Sequence, residues 1–346
     1  MDCQIFSTDD SEAWLTALNL QPQADVYFLP QYHRAYEKQG EGAAYAFTAT
    51  TGGDSFFYPF LLRPIDDRWF DIETVYGYTG PLSTTTDPDF LNEAWRLFSD
   101  WCRERKVVAE FIRFNPLLDN TRYVDPACEV KLNRETVVIN LDCTGDELWN
   151  SYPGSQRYKI RKALAGGLQF EETSTPEGLA RFAELYRETM DRVGADDYYY
   201  FSSDYLNSLA NGLGDKLKIF TVKDKEENVL AAAIFFVFDK FIHYHLGGSN
   251  AGARELRPNN LLFHSVAEWG RSAGLTWLHL GGGRTAAPDD SLLRFKSTFS
   301  GLRRPFHTGQ RVHNREIYES LCSQWLEQSG RATRPDYFLL YRMVIQ

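Results

Sequence analysis

The positive charge near the end of the chain is concentrated in residues 291–315, which contain no aspartate or glutamate. The cations of this segment are Arg294, Lys296, Arg303, Arg304, Arg311 and Arg315. Lys296 lies between Phe295 and Phe299, and a cation in an aromatic frame can stabilise charge that develops on a carbonyl or leaving oxygen. The same pattern fits a surface lysine paired with an acid, which is the usual environment of lysine. Lys296 is therefore the catalytic candidate, with a surface ion pair as the alternative.

A second basic cluster lies at residues 157–162 and consists of Arg157, Lys159, Arg161 and Lys162. Clusters of this kind bind the phosphate groups of a donor or an acceptor. A solvated helical face has the same composition, so the charge run by itself leaves both interpretations open.

Four consecutive aromatic residues, Tyr198–Phe201, follow a predicted helix at 176–193 whose end carries Arg192. Adjacent aromatics cannot all face one core, so at least one of them lines a cleft or the surface. The pattern predicts a substrate wall that includes Tyr199, with Arg192 binding an anionic group. A packing patch between two domains explains the same pattern equally well.

Two histidines, His243 and His245, share one face of a predicted strand because they are two residues apart. No third ligand occurs at a suitable spacing, so we expect no metal site. A hydrogen-bonding or substrate-facing role is the interpretation of His245.

The familiar nucleotide and hydrolase motifs do not occur in the sequence. Gly281–Gly283 follow a predicted strand and allow close approach of a ligand, but they do not form G-x-G-x-x-G and no P-loop lysine follows. There is no G-x-S-x-G elbow. The sequence therefore offers no Ser or Cys nucleophile in a recognisable frame, and we expect no covalent enzyme intermediate.

The elements that must position these residues occur twice in the same order, offset by about 170 residues. The first set has strands at 43–50, 55–62 and 69–76, a Gly/Pro loop at 77–81, a helix at 88–104 and a strand at 107–114. The second set has strands at 217–223, 229–238 and 241–246, a glycine loop at 247–250, a helix at 259–273 and a strand at 275–280. This order resembles that of the core of GNAT acyltransferases.

The repeat predicts an α+β fold of two tandem GNAT-like domains, each a mixed, mostly antiparallel sheet flanked by helices. The predicted limits are 1–145, completed by about 320–346, and 146–319, which carries the donor site. A further strand is predicted at 303–313, a helix at 314–328, and a returning strand at 337–345.

Composition narrows the class of protein. The 346 residues suit two domains, and the net charge of −10 repels polyanions at long range, so a nucleic-acid partner requires a local basic patch. The five cysteines form no C-x-x-C pair, which favours free thiols in a reducing compartment. The acidic N-terminus lacks an apolar segment and no run of 18 apolar residues occurs, so we expect a cytoplasmic protein without a membrane span.

Four stretches in a fixed order resemble the FemAB/FemX-like group of GNAT-fold transferases, over about residues 30–340. They are Tyr78-x-Gly80-Pro81-Leu82; Arg157–Ala163 with Gly166-Gly167; Leu185-Tyr186 through Arg192 to Tyr199-Tyr200-Phe201; and Leu246–Ser249 through Arg257–Leu262 and Leu280–Gly283 to Leu293-x-Phe295-Lys296-x-x-Phe299. The resemblance implies transfer of an aminoacyl group from a charged tRNA to an amine of a cell-envelope or peptide precursor. It places Lys296 at the position of the group's important lysine.

The resemblance also implies an acceptor-binding wall formed by Tyr244 and His245 together with the region from Arg192 to Tyr199. Phe295 and Tyr78 belong to the matching motifs and are the remaining substrate-binding candidates. No DNA partner and no tightly bound cofactor are expected.

The donor is open between a charged tRNA and acyl-CoA. Residues 253–259 occupy the position of the GNAT pyrophosphate loop, but they lack its glycines, and Pro258 removes one backbone N–H. The predicted donor contacts are Arg254, Arg257, Asn259, Arg303 and Arg304. The alternatives are an acyl-CoA-dependent N-acyltransferase that acts on an amino sugar or a natural-product amine, and a non-catalytic protein that binds an envelope precursor.

Overall fold

The computed structural model describes residues 1–285, 287 and 289–345. The chain divides into two compact units: unit 1 is Met1–Asn133 with Phe306–Gln346, and unit 2 is Arg134–Pro305. The functional domain limits suggested by the sequence, near residues 145 and 319, stay predictions.

Unit 1 begins with a strand and two helices that precede its main sheet. Its elements are β1 (Asp2–Ser7), α1 (Ser11–Leu18), α2 (Pro30–Lys38), β2 (Ala43–Thr51), β3 (Asp54–Pro64), β4 (Phe70–Glu73), β5 (Leu82–Ser83), α3 (Pro88–Glu104) and β6 (Val107–Arg113). Strand β7 (Glu129–Asn140) carries the chain into unit 2.

Unit 2 continues from the second part of β7. Its elements are α4 (Gly145–Ser151), α5 (Gly154–Ala165), β8 (Gln169–Glu172), α6 (Pro176–Val193), α7 (Ser203–Leu213), β9 (Leu217–Lys223), β10 (Val229–Phe238), β11 (Phe241–Ser249), α8 (Pro258–Ser272), β12 (Trp277–Gly281) and α9 (Ser291–Ser297). The chain returns to unit 1 along β13 (Arg303–Val312), which is followed by α10 (Arg315–Ser329).

The two units have the same strand arrangement. In unit 1 the strand order is β1-β2-β3-β4-β6-β13. In unit 2 the corresponding order is β8-β9-β10-β11-β12-β7. Among the described residues, the strand order of each unit contains one parallel pair, β4 with β6 and β11 with β12, and in both cases a helix, α3 or α8, connects the two strands. The other pairs in each order are antiparallel. The predicted tandem GNAT-like α+β fold is therefore confirmed.

The core of unit 2 lies between the sheet and helices α5 and α8. Apolar side chains from β10, β11 and β12 pack there against Ile160 of α5 and Leu261, Leu262 and Val266 of α8. A Cβ atom at Gly270 would clash with the ends of the Ile242 and Leu141 side chains, so glycine at this position favours the close approach of α8 to β11. This packing fixes the start of α8 and the loop after β12, where the predicted site residues occur.

Three sequence predictions of local structure were wrong. The predicted glycine loop at 247–250 is largely strand, because β11 extends to Ser249. Its glycines allow close packing: Gly247 makes room for the Tyr244 hydroxyl, and Gly248 makes room for the backbone of α6 at Leu185. The third strand of unit 1 is shorter than predicted, Phe70–Glu73.

The predicted strand at 337–345 instead contains a short 3₁₀ turn at Leu340–Arg342. Side chains satisfy its backbone in place of a strand partner: the Trp325 indole N–H donates to the Met343 carbonyl at 2.6 Å, and the Tyr318 hydroxyl donates to the Phe338 carbonyl at 2.6 Å. Both donors come from α10, so the segment packs on that helix.

Candidate functional site

The loop between β12 and α9 is organised by one carboxylate, that of Asp290. It caps α9 by accepting the backbone N–H groups of Leu292 and Leu293, both at 2.9 Å, and it also accepts those of Arg284 and Thr285 at 3.1 and 3.2 Å. Burial opposes ionisation, but these donors outweigh it and the pKa of Asp290 is lowered. Asp290 therefore holds a charged cap and fixes the direction in which α9 leaves the loop.

Lys296, in the last turn of α9, is buried with 4% of its surface exposed. Its Nζ donates to the Gly282 carbonyl at 2.7 Å and lies 5.2 Å from the centre of the Tyr244 ring. Burial lowers the pKa of Lys296 to about 7; Asp290 opposes this shift and the positive charge of Arg134 adds to it. The lysine therefore titrates near neutral pH, and the surface ion pair considered as its alternative is wrong.

Aromatic side chains of α8, α9 and β11 pack against one another next to the helix that carries this lysine. Phe295 lies edge-on to Phe299, with ring centres 5.5 Å apart, and both contact Phe263 of α8, at 5.5 and 5.4 Å. Tyr244 lies 4.9 Å from the same Phe263 ring. Of these rings, Tyr244 lies beside the Lys296 ammonium, and the burial of that ammonium is the main cause of its lowered pKa.

Arg303 and Arg304 lie just after α9. The Arg303 guanidinium donates to the Ser297 hydroxyl at 2.8 Å and to the Ser300 carbonyl at 2.9 Å. Arg304 lies over the Trp277 ring at 5.1 Å. Arg303 thus secures the C-terminal end of the helix that carries Lys296, and a role of either arginine in donor binding stays a prediction.

Gln156 of α5 is a residue that sequence reasoning missed. Its side chain is fully buried, and Oε1 accepts hydrogen bonds from Asn260 Nδ2 of α8 at 2.9 Å and from the Thr298 hydroxyl at 3.2 Å. One amide therefore links α5, α8 and the end of α9. The available signal was a glutamine in the apolar stripe that it shares with Ile160 and Ala163, since a polar residue buried in such a stripe requires partners.

The start of α8 is open. Its N-cap is Arg257, in the left-handed conformation with φ 64°, and no side chain caps the first turn. Pro258 occupies the first turn, which contains no acidic residue. Arg254 precedes it, and Glu255 contacts the Arg257 guanidinium at 3.3 Å. Pro258 has no N–H and the Asn260 N–H bonds to the Arg257 carbonyl at 3.1 Å, so it is mainly the charge of the two arginines and the helix dipole that favour an anion at this turn.

Arg192 and Asn259 meet at the end of β11. The Arg192 guanidinium donates to the Ser249 carbonyl at 2.9 Å, and Asn259 Nδ2 donates to the Ser249 hydroxyl at 3.2 Å. The Thr189 hydroxyl accepts the Ser249 N–H at 3.0 Å. The structure thus brings these two predicted site residues together, with Arg192 also serving to fix α6 on the strand.

Tyr244 and His245, which the sequence placed in one wall, point to different sides of the sheet. Tyr244 contacts Phe235 and Phe263, whereas the His245 ring lies 4.4 Å from Phe236. Burial lowers the pKa of His245 to about 3, so this ring is neutral at ordinary pH. A bulge in the pairing of β10 with β11 falls at this position.

The other two aromatic candidates lie elsewhere. Tyr199 is partly exposed, and its carbonyl accepts the Tyr186 hydroxyl at 2.8 Å. Tyr78 belongs to unit 1, where it packs edge-on against Tyr27 and Phe306. Their roles in substrate binding stay predictions.

Within the described part of the chain, no group of His, Cys, Asp or Glu side chains has the arrangement of a metal site. A search of residues 1–285, 287 and 289–345 finds no helix with the length and apolar character needed to cross a membrane.

Comparison with known proteins defines the class. Residues 154–297 match the family model described as an acetyltransferase (GNAT) domain. FemX has the same fold, with a TM-score of 0.73 at 16% identity, covering 92% of this chain and 99% of that chain. L-PGS from Bacillus licheniformis is more distant, with a TM-score of 0.52 at 14% identity over 80% of this chain and 89% of that chain.

A curated relative is the lipid II:glycine glycyltransferase of Staphylococcus aureus (strain bovine RF122 / ET3-1), which is 39% identical over 99 residues. The match spans 28% of this chain and 23% of the length of that relative. The protein of the same name from strain USA300 is 38% identical over 99 residues. The chain is thus a GNAT-fold protein. More particularly, the resemblance to the FemAB/FemX-like group is confirmed.

Proposed function

We propose that this chain is an amide-forming aminoacyltransferase that moves an aminoacyl group from a charged tRNA to an amine of a peptidoglycan precursor. The observation that carries the proposal is Lys296, a buried lysine with Nζ on the Gly282 carbonyl and no carboxylate within 4 Å among the described residues. Burying an unpaired ammonium costs stability, so a chemical role accounts for its presence.

The reaction needs a neutral acceptor amine, a held geometry and stabilised charge on oxygen. The amine nitrogen attacks the ester carbonyl carbon, the C–N bond forms and the ester C–O bond breaks. The ribose hydroxyl leaves with a proton, and the amine loses one. In its protonated form Lys296 stabilises the negative charge on the carbonyl or leaving oxygen, and the rings of Phe295 and Phe299 limit water around it.

The open start of α8 supports the donor assignment. Phosphate groups bind at helix N-termini through backbone N–H groups and the helix dipole, and here Arg254 and Arg257 add positive charge. The terminal phosphates of an RNA donor fit this chemistry, and the amine of a lipid II-like precursor fits the acceptor named for the curated relatives.

Acyl-CoA is the second candidate donor, because residues 154–297 match an acetyltransferase (GNAT) model. Pro258 removes one N–H from the turn that would hold the CoA pyrophosphate, which favours the RNA donor.

The test is a transfer assay with purified protein, lipid II and a pool of tRNAs charged with labelled amino acids, including glycyl-tRNA. We expect the label to appear in lipid II in an amide bond that is stable to mild base. If the label stays on tRNA throughout in the presence of folded protein, the proposal is contradicted.

A further inference from the structure

Helix α5 has an outward face that combines positive charge with an exposed aromatic ring. Tyr158 is 66% exposed, and Arg161 and Lys162 follow it by one helical turn on the same side. The helix contains no acidic residue. Its sequence therefore places cations and a stacking surface together in a chain whose net charge is −10.

The charges of α5 are compensated less than those of Arg96 on α3 and Arg181 on α6. On α3, Arg96 pairs with Glu93 and Asp100 at 2.7 and 2.8 Å, and on α6 Arg181 pairs with Glu184 at 2.6 Å. Arg161 instead lies over the Trp149 ring at 5.3 Å.

Within the described ranges, Lys162 is the one α5 cation with a carboxylate within 4 Å, that of Glu255 at 3.9 Å. The outward face of α5 is therefore left to attract an external polyanion.

The opposite face of α5 is fully used by the protein core. Gln156, Ile160 and Ala163 are buried there. A helix that enters a bilayer needs a continuous apolar face for the lipid, whereas outside its buried face α5 exposes Leu164 and Tyr158 beside cations. Cations beside an exposed ring are instead typical of surfaces that bind the nucleic-acid backbone and stack a base.

The position of α5 connects this face to the candidate site. Gln156 bonds to Thr298, two residues after Lys296, and the Lys162–Glu255 contact brings the other end of α5 to the start of α8. The turn at Arg257 therefore lies next to the Lys162 end of α5, with Glu255 contacting Lys162 at 3.9 Å and Arg257 at 3.3 Å.

We propose that the outward face of α5, formed by Tyr158, Arg161 and Lys162, binds the sugar-phosphate backbone of the donor RNA. The inference rests on the proposed function and assigns the binding of the donor RNA to one helix of unit 2. Arg157 and Lys159, which flank this face, add to its positive potential.

The test is the salt dependence of binding of a deacylated tRNA transcript to the full-length protein, followed by fluorescence anisotropy. The variant is Arg161→Gln with Lys162→Gln. The matched control, Arg96→Gln with Arg103→Gln, removes the same charge from exposed α3. Losing two phosphate contacts lowers the slope of log affinity against log salt by about 1.5. We expect this loss for the α5 variant only, with roughly tenfold weaker binding at low salt.

Kinetics with two donors separate this inference from the proposed function. We expect the α5 variant to lose more kcat/KM with a full-length charged tRNA than with a short aminoacylated trinucleotide. Transfer by the wild type together with an unchanged salt slope in the α5 variant overturns the α5 assignment and leaves the proposed function standing.

If instead the wild type shows no transfer from either donor, the proposed function fails. A further outcome concerns vesicles of phosphatidylglycerol and phosphatidylcholine in equal parts. In this outcome, vesicle binding depends on Arg161 and Lys162, whereas tRNA binding does not. That result overturns the inference in favour of a membrane surface.

Discussion

Helices α3 and α8 occupy the same place in the two units but differ at their first turns. Both begin with proline, Pro88 or Pro258. In unit 1 the preceding Asp87 accepts the Asp89 N–H at 3.1 Å, so two carboxylates occupy the turn. In unit 2 the corresponding positions are Arg257 and Asn259, and no side chain caps the turn. The fold supplies a helix N-terminus in both units, but the flanking charge is negative at α3 and positive at α8, so the first turn of α8 favours an anion more than that of α3 does.

Buried cations show a second difference between the units. In unit 1, Arg311 is held by Asp125 at 2.8 Å and lies 3.9 Å from the buried Glu110. In unit 2, Lys296 has a carbonyl and an aromatic ring as its neighbours. A paired buried charge is structural, whereas an unpaired one with a lowered pKa is available for chemistry. Both differences support the proposal that the reaction takes place in unit 2.

The largest effect is expected from Lys296→Met. Removing one preorganised charge at a reacting centre typically costs about 10² to 10³ in rate. We expect a loss of that size in single-turnover transfer, with the thermal melting temperature at neutral pH not reduced. Wild-type turnover in this variant would show that the lysine is not catalytic. A loss of turnover that accompanies unfolding would show that its role is structural.

The next largest effect is expected when the first turn of α8 is given the charges of α3. Arg257→Asp with Asn259→Asp places carboxylates where a donor phosphate would bind, and KM for the donor should rise by about 10- to 100-fold. The control is the pair Arg96→Asp with Arg103→Asp, which alters the net charge in the same direction away from this turn. Equal KM values for the two variants would show that the turn does not bind the donor.

A smaller effect is expected from Gln156→Leu, which removes the bonds from α5 to Asn260 and Thr298. Lys296 then loses its fixed position, and kcat should fall by about tenfold while KM for the acceptor changes little. Gln156→Glu keeps an oxygen that can accept the hydrogen bonds of Asn260 and Thr298, so this variant should recover part of kcat. A shared loss in both variants, matched by a lower melting temperature, would mean that Gln156 only stabilises the core.

The smallest effect is on stability as a function of pH. The pKa of Lys296 is lowered in the folded state to about 7, so the unfolded chain binds more protons between that pH and the ordinary lysine pKa. The contribution of Lys296 therefore makes the protein more stable as pH rises through that interval. Lys296→Met should show a smaller rise in melting temperature from pH 7 to pH 10. An identical rise in both proteins would place the pKa of Lys296 outside that window.

The sequence predicted the tandem GNAT-like fold because strand periodicity and the order of elements are local signals. It also singled out Lys296, whose aromatic neighbours are adjacent in the chain. It missed Gln156, whose partners Asn260 and Thr298 are distant in sequence. It placed Tyr244 beside His245 in one wall, although neighbouring strand residues point to opposite faces. Contacts made across elements, and the burial that shifts a pKa, are known only once the chain is folded.

The most direct test of the account is single-turnover transfer from charged tRNA to lipid II in the presence of a saturating concentration of acetyl-CoA. The account predicts that the amino acid is transferred at the same rate with and without acetyl-CoA, and that mass spectrometry detects no acetylated product. Acetylation of the acceptor, or strong inhibition of aminoacyl transfer by acetyl-CoA, would contradict the assignment of an RNA donor to unit 2.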